Sequence, residues 1–384
     1  MILKRLHTLI FISAFVVQQS CITPFTIHNS EVEAEILAVE GDIIIGGDTK
    51  IYLSLMVSLD VNYDATFITD AIVWVEGMQG DTYPSTLINE ENAQPYFLID
   101  TKSLSLDEQY KLCILLTNGI SYESDFLTSL RTPEIGFIDF AVNESRTAVE
   151  FFVTTLGDTD SSPYYRWSYT EDWEFTATFR ASFYYDPLLD AVVAYPYHPN
   201  NTYAYYCWGH TRSNSILIAK TDYLQENFVH QKKLNTIYNV NYKISNLYSM
   251  EVYQMSISKE AYTYWSTLEK YTGEIGSIFT PQLDWLNGNL HCVSNPEAKV
   301  IGYVSSGTLS VKRIFVDELD IQIYKPDYAC NSLLRERNSA KDMVAAGYQI
   351  LNPMALYLWF PVHCVDCRAS GTKNKPSFWP NDHV

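Results

Sequence analysis

The sequence predicts a mainly β protein of two β-rich domains. An N-terminal β-sandwich covers residues 31–132, and a larger domain over 133–384 carries one clear helix at about residues 258–272. Three observations predict it. Apolar residues recur with period two through much of the chain, as half-buried strands require. Turn signals such as Gly46-Gly47-Asp48 and Asn118-Gly119 punctuate those runs at short intervals. The chain also holds 29 Tyr, 18 Phe and 8 Trp, for 14% aromatic content, and such rings favour pleated, half-buried surfaces.

The first element is not part of either domain. Lys4 and Arg5 form a basic head, Leu6 to Val17 is a largely apolar run, and Gln18, Gln19 and Ser20 lead to Cys21. That order is a secretory signal peptide over residues 1–20, too short and wrongly flanked for a membrane span. A cysteine directly after the cleavage region reads as a lipid anchor, its thiol taking a diacylglycerol and its freed amine a further chain. Gln18 stands where the stricter motif has Leu, so an ordinary signal peptide with an incidental Cys21 is the competing reading. Residues 21–30 then form a tether.

Alternation begins with Val32, Ala34 and Ile36 between glutamates, and Gly41 breaks it. Ile51, Leu53, Leu55 and Val57 resume period two after the Gly-Gly-Asp turn. AIVWVE at 71–76, Tyr96 to Ile99, Tyr110 to Leu116 and Ser121 to Leu127 complete a set of short strands without a helix, the pattern of an immunoglobulin-like sandwich. Arg131-Thr132-Pro133 marks the exit.

In the second domain Phe137 to Phe140 and Val149 to Val153 read as strands, and YYRWSYTEDWEF at 164–175 is an aromatic, acidic strand. Prolines 187, 196 and 199 make 186–201 an irregular excursion. Tyr203 to Trp208 and Ser215 to Ala219 are strands, and 240–257 alternates long enough for a hairpin. The helix has Ser258 as cap, Glu260 in its first turn, Lys270 near its end and Gly273 as stop. Strands follow at 301–304, 310–316 and 321–324, then a short helix within 331–347 and an irregular tail from Pro361.

Net charge is −19, and it becomes two units more negative without Lys4 and Arg5. Such acidity argues against nucleic acid as a partner and against adhesion to anionic lipid by surface charge. Beyond the signal no apolar run reaches the ~18 residues of a spanning helix, so membrane attachment rests on Cys21. No nucleophile elbow, HExxH, Walker A loop or dinucleotide fingerprint occurs. The sequence therefore implies no enzyme and no cofactor.

Candidate site residues fall into three groups. An exported chain favours disulfides, which puts Cys207, Cys292, Cys330, Cys364 and Cys367 forward as disulfide cysteines. Cys113, in the apolar KLCILL, reads as a buried free thiol. The run His363-Cys364-Val365-Asp366-Cys367 also fits half a zinc site completed by Cys330 or His291-Cys292, or a redox CxxC; the exported context favours disulfides over both. Six cysteines allow fifteen pairings, which stay open. Second, Asp172 and Glu174 share one strand face, as an acid–base pair would, though a solvated face is the simpler expectation. Third, Tyr195, Tyr197, Tyr203, Tyr205 and Trp208 form an aromatic stretch suited to stacking on a sugar or peptide, or to packing on the second core.

Several of these stretches together resemble the Bacteroidetes lipoprotein family provisionally titled DUF4249. The resemblance is carried by Cys21 with Pro24-Phe25, YYRWSYTEDWEF, Cys207-Trp208, SISKEAYTYW at 256–265, GSIFTP at 276–281, GNLHCV at 288–293, KRIFV at 312–316, and CVDCR with KPSFW in the tail. It implies an outer-membrane lipoprotein, lipid-anchored at Cys21, with a transthyretin-like N-terminal domain. Such proteins are thought of as partners of TonB-dependent receptors in nutrient uptake, with no assigned reaction. The expected function is thus a non-enzymatic ligand-binding or docking partner of such a transporter. Two alternatives stay open: a metal-dependent or hydrolytic enzyme centred on His363, Cys364 and Cys367, and a surface structural or adhesion protein.

Overall fold

The computed structural model describes residues 36–56, 66–90, 93–196, 203–273, 288–323, 330–335, 339–353 and 357–383. It is mainly β. The first body is a continuous run of paired strands in the spatial order Leu290–Cys292, Ser121–Ser124, Gln109–Leu115, Ile72–Gly77, Thr82–Ile88, Tyr96–Asp100, Asp48–Met56, Ile36–Glu40 and Val300–Ile301. Strict alternation explains its sandwich-like shape. In Ile72–Gly77 the residues Val73 and Val75 turn inward and meet Leu37, Ile51, Leu53, Phe97, Ile99 and Leu112 in one core. The chain leaves this body near Thr132, and residues 290–307 return to it, supplying both outer strands of the path.

The second body is a two-layer sandwich. One sheet contains Ile135–Val142, Ala148–Leu156 and Phe228–Tyr238. The other is ordered Tyr206–Arg212, Tyr164–Thr176, Leu247–Ser256 and Ser310–Asp317, with Leu217–Lys220 also paired to the long strand. Between them lie Phe151, Val153, Tyr165, Trp167, Tyr169, Trp173, Phe175 and Tyr248, with Phe151 and Tyr248 ring centroids 5.0 Å apart. The aromatic strand earns its burial here: odd-numbered residues of Tyr164–Thr176 face this core, as period two demands.

The helix is Lys259–Gly273. Ser258 Oγ accepts from the Ala261 amide at 3.1 Å, the N-cap bond that ends the preceding strand. Ala261 and Tyr264 are its buried face, against Met255 and Ile257 on one side and Tyr303 on the other. Arg166 joins the two bodies: it pairs with buried Asp42 and lies over the Trp265 ring at 4.6 Å. A third, smaller layer near the C-terminus holds Leu333–Arg335, Tyr357–Pro361 and Tyr348–Pro353. Among the described residues no helix is long and apolar enough to cross a membrane.

Several expected elements differ, and the strand expected at 301–304 is only Val300–Ile301. The 240–257 stretch is a 3₁₀ turn, Tyr242–Ile244, followed by a single strand, because Asn241 caps that turn through the Lys243 amide. The irregular 186–201 excursion contains a hairpin, Phe183–Asp186 with Ala191–Ala194, whose tip takes Pro187. Of the strand expected at 321–324, Ile321 closes a helical turn, Glu318–Ile321, capped by the Asp317 side chain, and Tyr324 falls outside the described residues. The strand expected from Tyr203 starts at Tyr206.

Candidate functional site

Register places the outer face of the second sheet residue by residue. Across it run Trp208, Glu174, Leu247 and Asp317; then His210, Asp172, Ser249 and Phe315; then Arg212, Thr170, Glu251 and Arg313. Strand alternation puts all of these on the side away from the aromatic core. Asp172 and Glu174 therefore do share one face, but that face is not solvated: they are 4% and 3% exposed. The cause is the C-terminal tail. Thr372 bridges to Trp208, Trp379 buries itself against Trp208 and Leu247, and the Arg313 guanidinium lies over the Phe378 ring at 3.6 Å.

Each buried carboxylate on this strand is matched, as buried charges must be. Glu174 accepts from the Trp379 indole N–H at 3.1 Å and lies 3.4 Å from His383 Nδ1. Asp172 takes Arg313 at 3.2 Å through one oxygen and His210 Nδ1 at 2.6 Å through the other. On the core side Glu171 accepts from Lys243 at 2.7 Å, Tyr248 Oη at 2.8 Å and Asn235 at 3.0 Å.

The Asp172–His210 pair is the arrangement closest to acid–base machinery. A buried carboxylate fixes one nitrogen of an imidazole whose side chain is 62% exposed, which leaves the other nitrogen toward solvent. The hydrogen bond to Asp172 raises the His210 pKa above its ordinary value, while burial and the nearby Arg313 oppose the rise. Among the described residues no hydroxyl or thiol hydrogen bonds to His210.

The aromatic stretch divides. Tyr195 is buried and stacks on Tyr184 at 4.7 Å, with the Tyr203 ring 5.5 Å away. Arg368, held by two bonds to Asp366, donates to Tyr195 Oη at 3.4 Å and faces the Tyr203 ring at 5.6 Å. Burial pushes the Tyr195 hydroxyl pKa up to about 12. Tyr203 is 56% exposed and forms the open edge of this ledge. Tyr205 lies apart under Arg180 at 4.4 Å. Trp208 lies under the tail instead, and Tyr197 falls outside the described residues, as does Cys21.

Cys207 bonds to Cys367 and Cys330 to Cys364. Cys364 and Cys367 thus serve different partners and form no CxxC disulfide. Cys292, expected among the bonded cysteines, is instead a buried free thiol, as is Cys113. Geometry explains it. Cys113 aligns with Glu123 and Cys292 with Tyr122, on strands flanking Ser121–Ser124. The two side chains point to opposite faces with a strand between them, about 10 Å apart. Burial lifts the Cys113 pKa to about 12, which makes it inert as a nucleophile. The expected zinc set is also redrawn. Cys330, His363 and Cys364 lie within 4.8 Å of one another, whereas Cys367 is bonded elsewhere and His291 lies in the first body. With both sulfurs oxidised, neither is a thiolate ligand or a nucleophile.

Arg313, Arg368, Lys243, Tyr184 and Trp379 were not anticipated as site residues. One signal pointed to two of them: KRIFV and KPSFW, two of the motif stretches, meet here through Arg313, Phe378, Phe315 and Trp379. The model of a family described as a domain of unknown function (DUF4249) matches residues 22–313, and the chain belongs to that family. No curated protein matches the chain.

Proposed function

We propose that this protein is an exported lipoprotein, anchored through Cys21 in the outer membrane, that works without catalysis as a ligand-binding or docking partner of a TonB-dependent transporter. The observation that carries the reading is the pair of disulfides, Cys207–Cys367 and Cys330–Cys364, in a chain whose first residues have signal-peptide order and end on Cys21. Disulfides persist in oxidising compartments, and two or three acyl chains hold a protein where a single chain gives only marginal binding. The exposed Tyr203 ring, backed by Tyr195 and Arg368, supports the binding half: a rigid ring gives contact area at little entropic cost. The enzymatic alternative on His363, Cys364 and Cys367 loses support because both sulfurs are bonded.

Two measurements test it. Cys21→Ser protein, expressed in its native envelope, is expected in the soluble fraction after a detergent-free wash; retention in the membrane refutes the anchor. Gentle detergent extraction followed by affinity capture is expected to recover a TonB-dependent receptor in stoichiometric amount. Recovery of the protein alone, under conditions that preserve receptor complexes, refutes the docking role.

A further inference from the structure

The two disulfides differ in their surroundings. Cys207 and Cys367 are both fully buried, whereas Cys330–Cys364 joins a fully buried Cys364 to a Cys330 that is only partly buried. His363 is exposed, precedes Cys364, and brings one ring nitrogen within 4.8 Å of both sulfurs. The backbone around Cys364 is held independently of the S–S bond: its carbonyl accepts from the Phe179 amide at 2.8 Å, and Val362 N–H donates to Gly347 at 2.9 Å. Cys364 and Val365 also pack with Ala181, Tyr195 and Phe360. Cys330 stands three residues before the paired strand Leu333–Arg335, and its Sγ lies 3.4 Å from Thr178 Oγ1, so opening the disulfide would leave the two sulfurs and the imidazole near one another.

We propose that reduction of Cys330–Cys364 creates a binding site for a borderline-soft divalent cation of the zinc type, with Cys330 Sγ, Cys364 Sγ and one His363 ring nitrogen as its ligands. The reductant is a dithiol. Its thiolate attacks the accessible Cys330 sulfur, the S–S bond breaks, and Cys364 leaves as the thiolate. The second thiol of the reductant then displaces Cys330 and departs with its partner as a disulfide. Two electrons pass to the protein, and the reductant is oxidised by two. The cation then binds both sulfurs as thiolates, releasing their protons to solvent, and a neutral imidazole donates its lone pair.

The dimensions suit this set. Zn–S bonds of about 2.3 Å at tetrahedral angles put two sulfurs about 3.8 Å apart. The Cys330 and Cys364 Cα atoms, 6.0 Å apart, allow that by side-chain rotation. Three protein ligands leave the fourth position to water, the pattern of an open zinc site. Thiolate ligands select against calcium and magnesium. In an oxidising compartment the site stays closed, so cation capture reports the local thiol poise. The proposal does not depend on the anchor at Cys21 or on a transporter partner.

The test uses the full mature chain. It is reduced briefly with dithiothreitol under anaerobic conditions, desalted, and titrated with Zn²⁺ against a chromophoric chelator. The oxidised chain is the baseline for Cys113 and Cys292. Reduction is expected to add one zinc per chain, and Co²⁺ in its place should show a thiolate charge-transfer band. Alkylation mapping should label Cys330 and Cys364 while Cys207 and Cys367 stay bonded. His363→Gln, an exposed substitution that leaves the fold and both disulfides intact, should lose at least about tenfold in affinity, the lower end for a mere supporting residue. No zinc gain on reduction, a gain that His363→Gln leaves unchanged, or prior opening of Cys207–Cys367 would each overturn the proposal.

Discussion

Lys243→Met tests the most consequential burial in the second body. Glu171 and Lys243 side chains are 5% and 19% exposed and 2.7 Å apart. The carboxylate keeps two neutral donors, Tyr248 Oη and Asn235 Nδ2, when the lysine goes. Stranding a buried charge costs about 3–5 kcal/mol, and the two hydrogen bonds that Glu171 keeps hold the loss to the lower end of that range. The lower end of the range, about 3 kcal/mol, is therefore expected at pH 7.5. The Met stem still covers the Trp173 ring, over which Lys243 Nζ sits at 4.8 Å, so lost packing adds little. Urea unfolding followed by tryptophan fluorescence should show the midpoint lowered by roughly 1 M, given slopes of about 1–3 kcal/mol per M or more for a chain of this size. Lys243→Met/Glu171→Gln should recover at least half of the loss. A cost under about 1 kcal/mol at pH 7.5, with no rescue by the double variant, would mean that Glu171 is hydrated. The matched-charge account of this strand would then fail.

Three further outcomes follow from the same geometry. His210→Gln should destabilise the chain more at pH 5.5 than at pH 8.5. A histidine whose folded pKa is raised contributes its full stability below the unfolded value, about 6.5, and loses it as pH rises through the folded one; a pH-independent effect in urea midpoints would remove the Asp172 hydrogen bond from the account. Gly209→Ala should cost about 1–3 kcal/mol, because its Cβ would overlap the Trp173 indole that lies against Gly209; unchanged tryptophan fluorescence and midpoint would contradict this packing. Replacing Cys207 and Cys367 by Ala opens a loop with a sequence separation of 160, against 34 for Cys330–Cys364. Chain entropy sets ceilings of about 5 and about 4 kcal/mol for the two, and limited proteolysis should cut the 368–383 tail faster in this variant than in one with Cys330 and Cys364 replaced by Ala.

Much of the fold was legible because period two is a local signal. Val73 and Val75 could be placed inward, and Ser258 named as a cap, without any knowledge of what they touch. The strand Phe228–Tyr238 escaped notice for an equally local reason. Its pairing with Ala148–Leu156 shifts register twice, and Gln231 sits at φ 46°. A bulge of this kind breaks the alternation that marks a strand. The second strand of the hairpin at 183–194, Ala191–Ala194, was hidden by Pro187, which falls in the turn rather than in a strand.

The site was less legible because alternation reports that a strand has two faces and not what covers each. Asp172 and Glu174 read as solvent-facing, and within the sheet alone they would be. They are buried by a cover that arrives from far along the chain: Trp379 reaches Glu174 across 205 residues of sequence. The tail has little regular structure of its own, so no periodicity announced it. Its attachment depends on point contacts instead, namely Arg313 on Phe378, Trp379 in the Trp208–Leu247 pocket, and the Cys207–Cys367 bond. A cover held this way need not span the whole face. It closes over Glu174 and stops before His210, whose imidazole remains open beside a buried carboxylate. The boundary of the tail, rather than the strand pattern, thus decides which acidic residue of the TEDWEF run becomes structural and which retains a solvent-facing partner.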